Sequence, residues 1–193
     1  MSITDARWAR FNEVASGYNV TPTASSWPVT TRPVEFIRSG SITAERSPSL
    51  ANHRVQTGEF TTVAAFDITA HDEGALLNRI KFRFAGVREL GDIRVYLDGY
   101  SMYSASLPSG DPTTYEFILN SGEQPQLGQG GPNTLRIEMR LPAEAAHRNL
   151  ALTTSIVTAD TYNGIQVLGF ESGELITLPA AQLPILGQTV WVD

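Results

Sequence analysis

Histidine has the widest chemical range of the side chains in this sequence, since it can ligate a metal, accept a proton or activate a nucleophile. The chain has three, His53, His71 and His147, and they lie far apart in or beside predicted loops. No HxH or HExxH spacing occurs, so a metal site would have to be assembled from distant segments. This pattern favours surface histidines, and we expect no bound metal and no cofactor.

Asp67 and His71 are candidates for a Ser–His–Asp triad of the serine-hydrolase type, because serine and threonine are abundant in the sequence. The strained GxSxG turn that exposes the nucleophile of many such enzymes is missing from the sequence. We therefore predict a protein that is not an enzyme. The enzymatic alternative is a glycan-active site, which would require two carboxylates to converge roughly 5–10 Å apart.

Neighbouring carboxylates are the next candidates for chemistry. Asp72 and Glu73 lie at a predicted turn between strands, where adjacent acidic side chains usually face water, although such pairs can also serve acid–base or calcium chemistry. Other loop acids could join a calcium site at one end of a sandwich, namely Asp92, Asp98, Asp111 and Asp160. Because no DxDxDG calcium loop is present, we interpret them as solvated side chains.

Tyrosines could form a platform for a sugar ring. Tyr96, Tyr100 and Tyr103 cluster around one predicted hairpin. Tyrosine is also a favoured strand residue that packs across strands, so the cluster has a purely structural interpretation as well. The glycine-rich tract 128–131 lacks the lysine and the following helix of a phosphate loop, and it predicts a flexible turn.

The elements that would position these side chains are strands. Four segments within residues 77–141 alternate apolar and polar residues, as in the run IKFRF at 80–84. A period of two places one set on a core face and the other in water, which is typical of half-buried antiparallel strands. Many short strands separated by Gly, Pro, Asn or Asp predict an all-β fold, an antiparallel β-sandwich of immunoglobulin-like or jelly-roll-like type.

The predicted strands cover residues 34–38, 41–46, 54–57, 60–69, 77–85, 93–98, 100–106, 114–119, 134–141, 149–158, 165–170, 174–178 and 188–192. Asp98-Gly99 between two of them predicts a hairpin, because glycine tolerates the positive φ of a tight turn.

Length and composition limit the function. A chain of 193 residues, of which 41% are apolar, suffices for one large β domain. The net charge of −6 disfavours a nucleic-acid binder, and without cysteine there can be no disulfide and no thiolate metal site. No segment approaches the ~20 apolar residues of a membrane span, and the first 20 residues lack the apolar run of a signal peptide.

The two ends of the chain differ from its middle. Residues 1–33 are rich in Ser, Thr and Pro and predict an N-terminal arm, with a short amphipathic helix at 5–15 capped by Asp5. Residues 34–170 form the predicted sandwich. Residues 171–193, interrupted by Pro179 and Pro184, predict a C-terminal β extension outside the core sheets.

The order of these segments resembles a known family. The runs that carry the likeness are VEFIRSGSITAERS, FTTVAAFDITAHDEGALLNRIKFRF, GDIRVYLDGYSMYSASL, TYEFIL and TLRIEMRL. Over roughly residues 34–170 they resemble the immunoglobulin-like β-sandwich modules of bacterial surface and surface-layer proteins and of phage structural proteins. The resemblance implies a role in assembly or display without enzymatic activity, and it supplies no catalytic residues.

We therefore predict a structural subunit that self-assembles through its terminal extensions, in the first place a virion component of the head, capsid or tail. The alternatives are a subunit of a microbial surface filament or surface layer, and a carbohydrate-binding or adhesive module. Partners would be copies of the chain and other proteins of the same virion or extracellular assembly. The predicted anchors are aromatic or aliphatic, namely Trp8, Phe11, Tyr18, Trp27, Leu183, Ile185, Val190 and Trp191.

Charge is also unevenly distributed. Residues 1–58 carry six arginines and four acidic residues, whereas the remainder carries eight basic and sixteen acidic residues. Chance placement on solvated faces explains this, as does a mildly positive arm that docks on a negative neighbour, which could be a second copy.

Overall fold

A computed structural model describes residues 11–12, 19–20, 40–120, 122–143 and 150–193. The regular secondary structure in this part of the chain is almost entirely β-strand, with no α-helix, which confirms the all-β class. The strands are β1 (Phe11–Asn12), β2 (Asn19–Val20), β3 (Ser41–Arg46), β4 (His53–Val55), β5 (Phe60–His71), β6 (Ala75–Ala85), β7 (Asp92–Leu97), β8 (Tyr100–Ser106), β9 (Thr113–Ile118), β10 (Gln126–Leu127), β11 (Pro132–Arg140), β12 (Ala151–Ile156), β13 (Ile165–Gly169), β14 (Leu175–Thr177) and β15 (Ile185–Val192).

The chain divides into two units, Met1–Ile37 and Arg38–Asp193. In the first unit, β1 and β2 pair antiparallel, with Phe11 opposite Val20. Phe11 and Asn12 are therefore in a strand and not in the helix predicted over 5–15, because a helix of that length is marginal without packing. The rest of that predicted helix lies outside the described residues.

The second unit consists of two sheets with a shared core. A five-stranded antiparallel sheet has the order β3-β5-β11-β7-β8. An eight-stranded sheet has the order β14-β13-β6-β12-β15-β4, and β9 and β10 also pair with β6. Only the β15–β4 pair is parallel among the described ladders of this sheet. The two layers match the predicted β-sandwich.

Alternation builds the core as predicted. Leu135, Ile137 and Met139 of β11 are fully buried, and Arg136 and Glu138 between them face outward. The sheets meet through rings such as Phe66 and Phe82, whose centroids are 6.2 Å apart. Each fully buried side chain of this size stabilises the fold by about 1.5–3 kcal/mol.

The β7–β8 hairpin also forms where it is predicted. Asp98 and Gly99 have φ values of 48° and 85°, and Leu97 pairs with Tyr100 across the turn. Two successive positive φ angles match the right-handed twist of the flanking strands, which is why Asp-Gly is favoured at this position.

The C-terminal segment is part of the sandwich, which corrects the prediction that residues 171–193 lie outside the core sheets. β14 pairs with β13, and β15 lies between β12 and β4. The prolines flank a 3₁₀ turn, Ala180–Gln182, that connects β14 to β15. They act as turn residues between two paired strands and not as the start of a separate tail.

No helix in the described ranges is both long and apolar enough to cross a membrane.

Candidate functional site

Among the described residues, neither His53 nor His71 hydrogen-bonds to Asp67, so the triad considered around Asp67 and His71 is not formed. Asp67 accepts a hydrogen bond from the Thr134 hydroxyl at 2.9 Å, whereas Nε2 of His71 lies 2.9 Å from the hydroxyl of Thr43. His53 contacts two backbone carbonyl oxygens, and His147 lies outside the described residues. Within the described part of the chain, no three His, Asp or Glu side chains come together as a metal site.

Glu73 is buried, which corrects the prediction that it faces water beside Asp72. Its Oε2 accepts hydrogen bonds from the backbone N–H groups of Glu171 at 2.7 Å and Ser172 at 3.0 Å. Its Oε1 accepts the backbone N–H of Gly40 at 3.0 Å and the Ser172 hydroxyl at 2.5 Å. The carboxylate therefore joins three distant segments of the chain.

The surroundings of Glu73 indicate a structural role. Burial raises the pKa of its carboxyl, but the hydrogen bonds from Ser172, Glu171 and Gly40 outweigh burial and leave the pKa below its ordinary value. A Cβ on Gly169 would lie 2.4 Å from Oε1, so glycine is required there to make room for the carboxylate. Both oxygens are occupied by donors from the fold, and neither is presented to a substrate.

The loop acids have separate partners. Asp98 accepts the backbone N–H of Thr134 at 2.7 Å, and Asp111 accepts that of Gly86 at 2.8 Å. Asp160 lies 3.8 Å from the Lys81 ammonium. They do not converge as a calcium site.

The three tyrosines do not share one platform, which corrects the prediction that they cluster on one surface of the hairpin. Tyr103 points into the sandwich, where its ring packs edge-on against Phe117 with the centroids 4.9 Å apart. Tyr96 lies on the outer face beneath Arg136, and Tyr100 is 79% exposed at the hairpin. Residues 96 and 103 lie on opposite faces because a bulge shifts the register within the β7–β8 ladder.

The predicted anchors fall into three groups. Trp8, Tyr18 and Trp27 lie outside the described residues, and of Phe11 only its place in β1 is described. Ile185 and Val190 are buried in the core, so the prediction that they contact another copy is corrected. Leu183 is partly buried against the core. Trp191 is 39% exposed on the outer face of β15.

β15 exposes a second apolar side chain that the prediction missed. Leu186 is 61% exposed, and it lies on the same face as Trp191 although five positions separate them. A bulge against β12 turns both Gly187 and Gln188 inward, which restores the outward orientation at Thr189 and Trp191. We call Leu186, Thr189 and Trp191 the β15 outer face.

A surface cleft lies on the five-stranded sheet, at the end where β5 begins and β11 ends. Its volume is about 320 Å³. We call it the Arg94 cleft, and the side chains that matter for its chemistry are Phe60, Asp92, Arg94, Ser104, Ser106 and Arg140.

Pairing across four strands brings these residues together. Arg140 lies opposite both Phe60 and Asp92, and Asp92 lies opposite Ser106. Two residues further along β7, Arg94 lies opposite Ser104 of β8. The sequence shows the outward arginines of β7 and β11, but it does not show Phe60 beside them, because a bulge between Ile137 and Glu138 sets that register.

The charges in the cleft are only partly compensated. Arg140 forms an ion pair with Asp92, and the Ser106 hydroxyl donates to the other oxygen of that carboxylate at 2.5 Å. The Ser106 hydroxyl and the Arg140 guanidinium hold the pKa of Asp92 below its ordinary value, so this carboxylate is charged at neutral pH. Arg94 lies with its guanidinium carbon 3.7 Å from the Phe60 ring centroid. It makes no ion pair or hydrogen bond with another described residue.

No protein-family profile matches the chain, and no curated protein matches it significantly. The solved structures with a distant likeness to this chain include two enzymes. One is a family 123 glycoside hydrolase from Clostridium perfringens, 11% identical, with 79% of this chain aligned to 27% of that one at a TM-score of 0.35. The other, AvmM, catalyses macrocyclization in alchivemycin A biosynthesis; it is 6% identical, with 80% of this chain aligned to 88% of that one at a TM-score of 0.35. At this level of similarity neither activity transfers to this chain.

Proposed function

We propose that this chain is a non-enzymatic structural subunit that associates with copies of itself and with other proteins of one assembly. The assembly that we propose first is a virion, and the alternative is a microbial surface filament or surface layer. The observation that carries the proposal is the β15 outer face, because it presents Leu186 and Trp191 to solvent from a strand that is fixed in the core.

A fixed strand suits this role better than a free tail. Ile185 and Val190 hold β15 in the sandwich, so the backbone that carries Leu186 and Trp191 is already in place before a partner arrives. Pre-ordered side chains lose less conformational entropy on association than a flexible segment does. The N-terminal residues Trp8, Phe11, Tyr18 and Trp27 remain part of the proposal as further anchors.

The same sheet exposes a second apolar pair. Phe170 is 48% exposed after β13, and Leu175 is 60% exposed on the edge strand β14. Two different apolar patches on one subunit permit head-to-tail contacts, and such contacts produce rings or filaments when they repeat.

Removing the β15 outer face is expected to weaken self-association. Burial of a large apolar side chain contributes about 2 kcal/mol, so Leu186→Ser with Trp191→Ser should weaken each contact roughly a thousandfold. The measurement is mass by light scattering across a concentration series of the full chain. Tyr100→Ser is the matched control, since it removes an exposed ring from the other sheet.

Deletion of residues 1–33 tests the N-terminal anchors in the same assay and is expected to lower the mass further. A wild-type chain that stays monomeric at high concentration would refute self-association. A multimer whose mass is unchanged by the double variant would refute the role of β15.

A further inference from the structure

We propose that the Arg94 cleft is a binding site for an acidic saccharide, with Arg94 receiving the carboxylate of a uronic-acid residue. This inference goes beyond the proposed function and does not depend on self-association. It rests on an arginine that forms no ion pair or hydrogen bond with another described residue, and on two hydroxyls and one charged acceptor beside it around a single open cleft.

Arg94 is the group that would receive the charge. Its planar guanidinium presents N–H donors in a fork that matches a carboxylate, and no described side chain uses them. The Phe60 ring lies 3.7 Å below the guanidinium carbon and limits its orientations. The arginine is thus held in place while its donors stay open to a ligand.

The neighbouring groups favour a ligand that also carries hydroxyls. Asp92 is an acceptor, and the Ser104 and Ser106 hydroxyls can both donate and accept. A neutral sugar would leave Arg94 without a partner. A phosphate monoester would bring a charge of about −1.5 to −2 next to Asp92, whose carboxylate already pairs with Arg140, whereas a carboxylate brings a single charge that Arg94 can balance. One carboxylate on a ring of hydroxyls satisfies all of these groups.

The volume and openness of the cleft are compatible with an acidic saccharide. A volume of about 320 Å³ is at the lower end of the range for small-molecule sites. The cleft opens onto the surface of the sheet, so a sugar within a longer chain has access as well as a terminal one. Exposed arginine–carboxylate contacts are screened by salt, and affinity should fall as ionic strength rises.

The test is calorimetric titration of the full chain with tri-galacturonate, and with the neutral trisaccharide maltotriose and an acidic tripeptide, tri-glutamate, as comparison probes. We expect tri-galacturonate to bind, and the other two to bind at least tenfold more weakly. Arg94→Gln should reduce tri-galacturonate affinity by at least tenfold. Arg54→Gln is the matched control, because Arg54 lies on the other sheet, outside the cleft, and forms an ion pair with Asp193.

Circular dichroism melting of each variant establishes that it is folded, and Phe60→Leu provides a second test. Loss of the ring frees Arg94, so Phe60→Leu should weaken binding severalfold. Absence of tri-galacturonate binding at millimolar concentration overturns the proposal, as does equal binding of maltotriose. Equal binding of tri-glutamate overturns the saccharide class, and an unchanged affinity in Arg94→Gln overturns the site.

Discussion

Replacing Glu73 by glutamine is expected to lower the free energy of unfolding by about 3 kcal/mol at neutral pH. In the wild type each carboxylate oxygen accepts two hydrogen bonds from donors of the fold. Glutamine replaces one oxygen with an amide N–H₂ group, which faces donors and leaves a buried backbone N–H unsatisfied. Hydrogen bonds to a charged group contribute about 1.5–3 kcal/mol each, so the loss is large for a single isosteric change.

The dependence on pH gives this prediction a second readout. The pKa of Glu73 is lower in the folded protein than its ordinary value of 4.5. Its stabilising effect is therefore fully present above pH 4.5 and is lost as the pH falls through the lower folded-state pKa. The difference in stability between wild type and Glu73→Gln should shrink below pH 4.5.

Urea unfolding at a series of pH values measures both effects. Glu171→Gln is the matched control, because it makes the same chemical change on an exposed side chain of the adjoining turn, and it should stay within about 0.5 kcal/mol of wild type. A Glu73→Gln protein as stable as wild type would contradict a structural role and would reopen Glu73 as a functional carboxylate.

Replacing Gln188 by leucine is expected to cost about 4 kcal/mol. The buried Gln188 amide nitrogen donates to the carbonyl oxygens of Ser47 at 3.1 Å and Leu50 at 3.0 Å, and its Oε1 accepts the backbone N–H of Ala65 at 2.9 Å. Leucine has nearly the same volume, but it leaves these buried backbone groups without a partner. Each buried backbone group that loses its hydrogen-bond partner costs about 1–3 kcal/mol of stability.

Thermal unfolding measures this effect, and a fall in the melting temperature of about 10 °C is expected for a domain of this size. Gln129→Leu is the control, because that side chain is exposed and makes one hydrogen bond, to the Asp72 carbonyl oxygen. A small effect of Gln188→Leu would indicate that β15 is held only loosely. The C-terminal segment would then again be a candidate for a detachable tail.

The alternating strands could be predicted from the sequence because a period of two reports directly on one buried face. This succeeds for β11 and for the Asp98-Gly99 hairpin, where local residues determine local geometry. It fails for β15, because the bulge turns both Gly187 and Gln188 inward and breaks the alternation. Pro184 then looks like the boundary of a tail, although β15 completes the sheet.

The site residues were harder to predict because their partners are distant in sequence. Glu73 looks like a solvated turn acid until Gly40 and Ser172 are placed beside it. Phe60 and Arg94 meet only through the register of two strand pairs, β5–β11 and β11–β7, and a one-residue shift in β11 would separate them. Pattern alone carries no information on such a shift.

The proposed self-association requires the β15 outer face to become covered when copies associate. Because the chain has no cysteine, Thr189→Cys introduces a single thiol in the middle of that face, and Ser101→Cys introduces one on the edge strand β8. Maleimide labelling rates, measured across the concentration range in which light scattering reports growing mass, test the claim most directly. We expect labelling at position 189 to slow as mass increases, while labelling at 101 is unchanged. Equal rates at both positions throughout, or a mass that never exceeds that of the monomer, would contradict it.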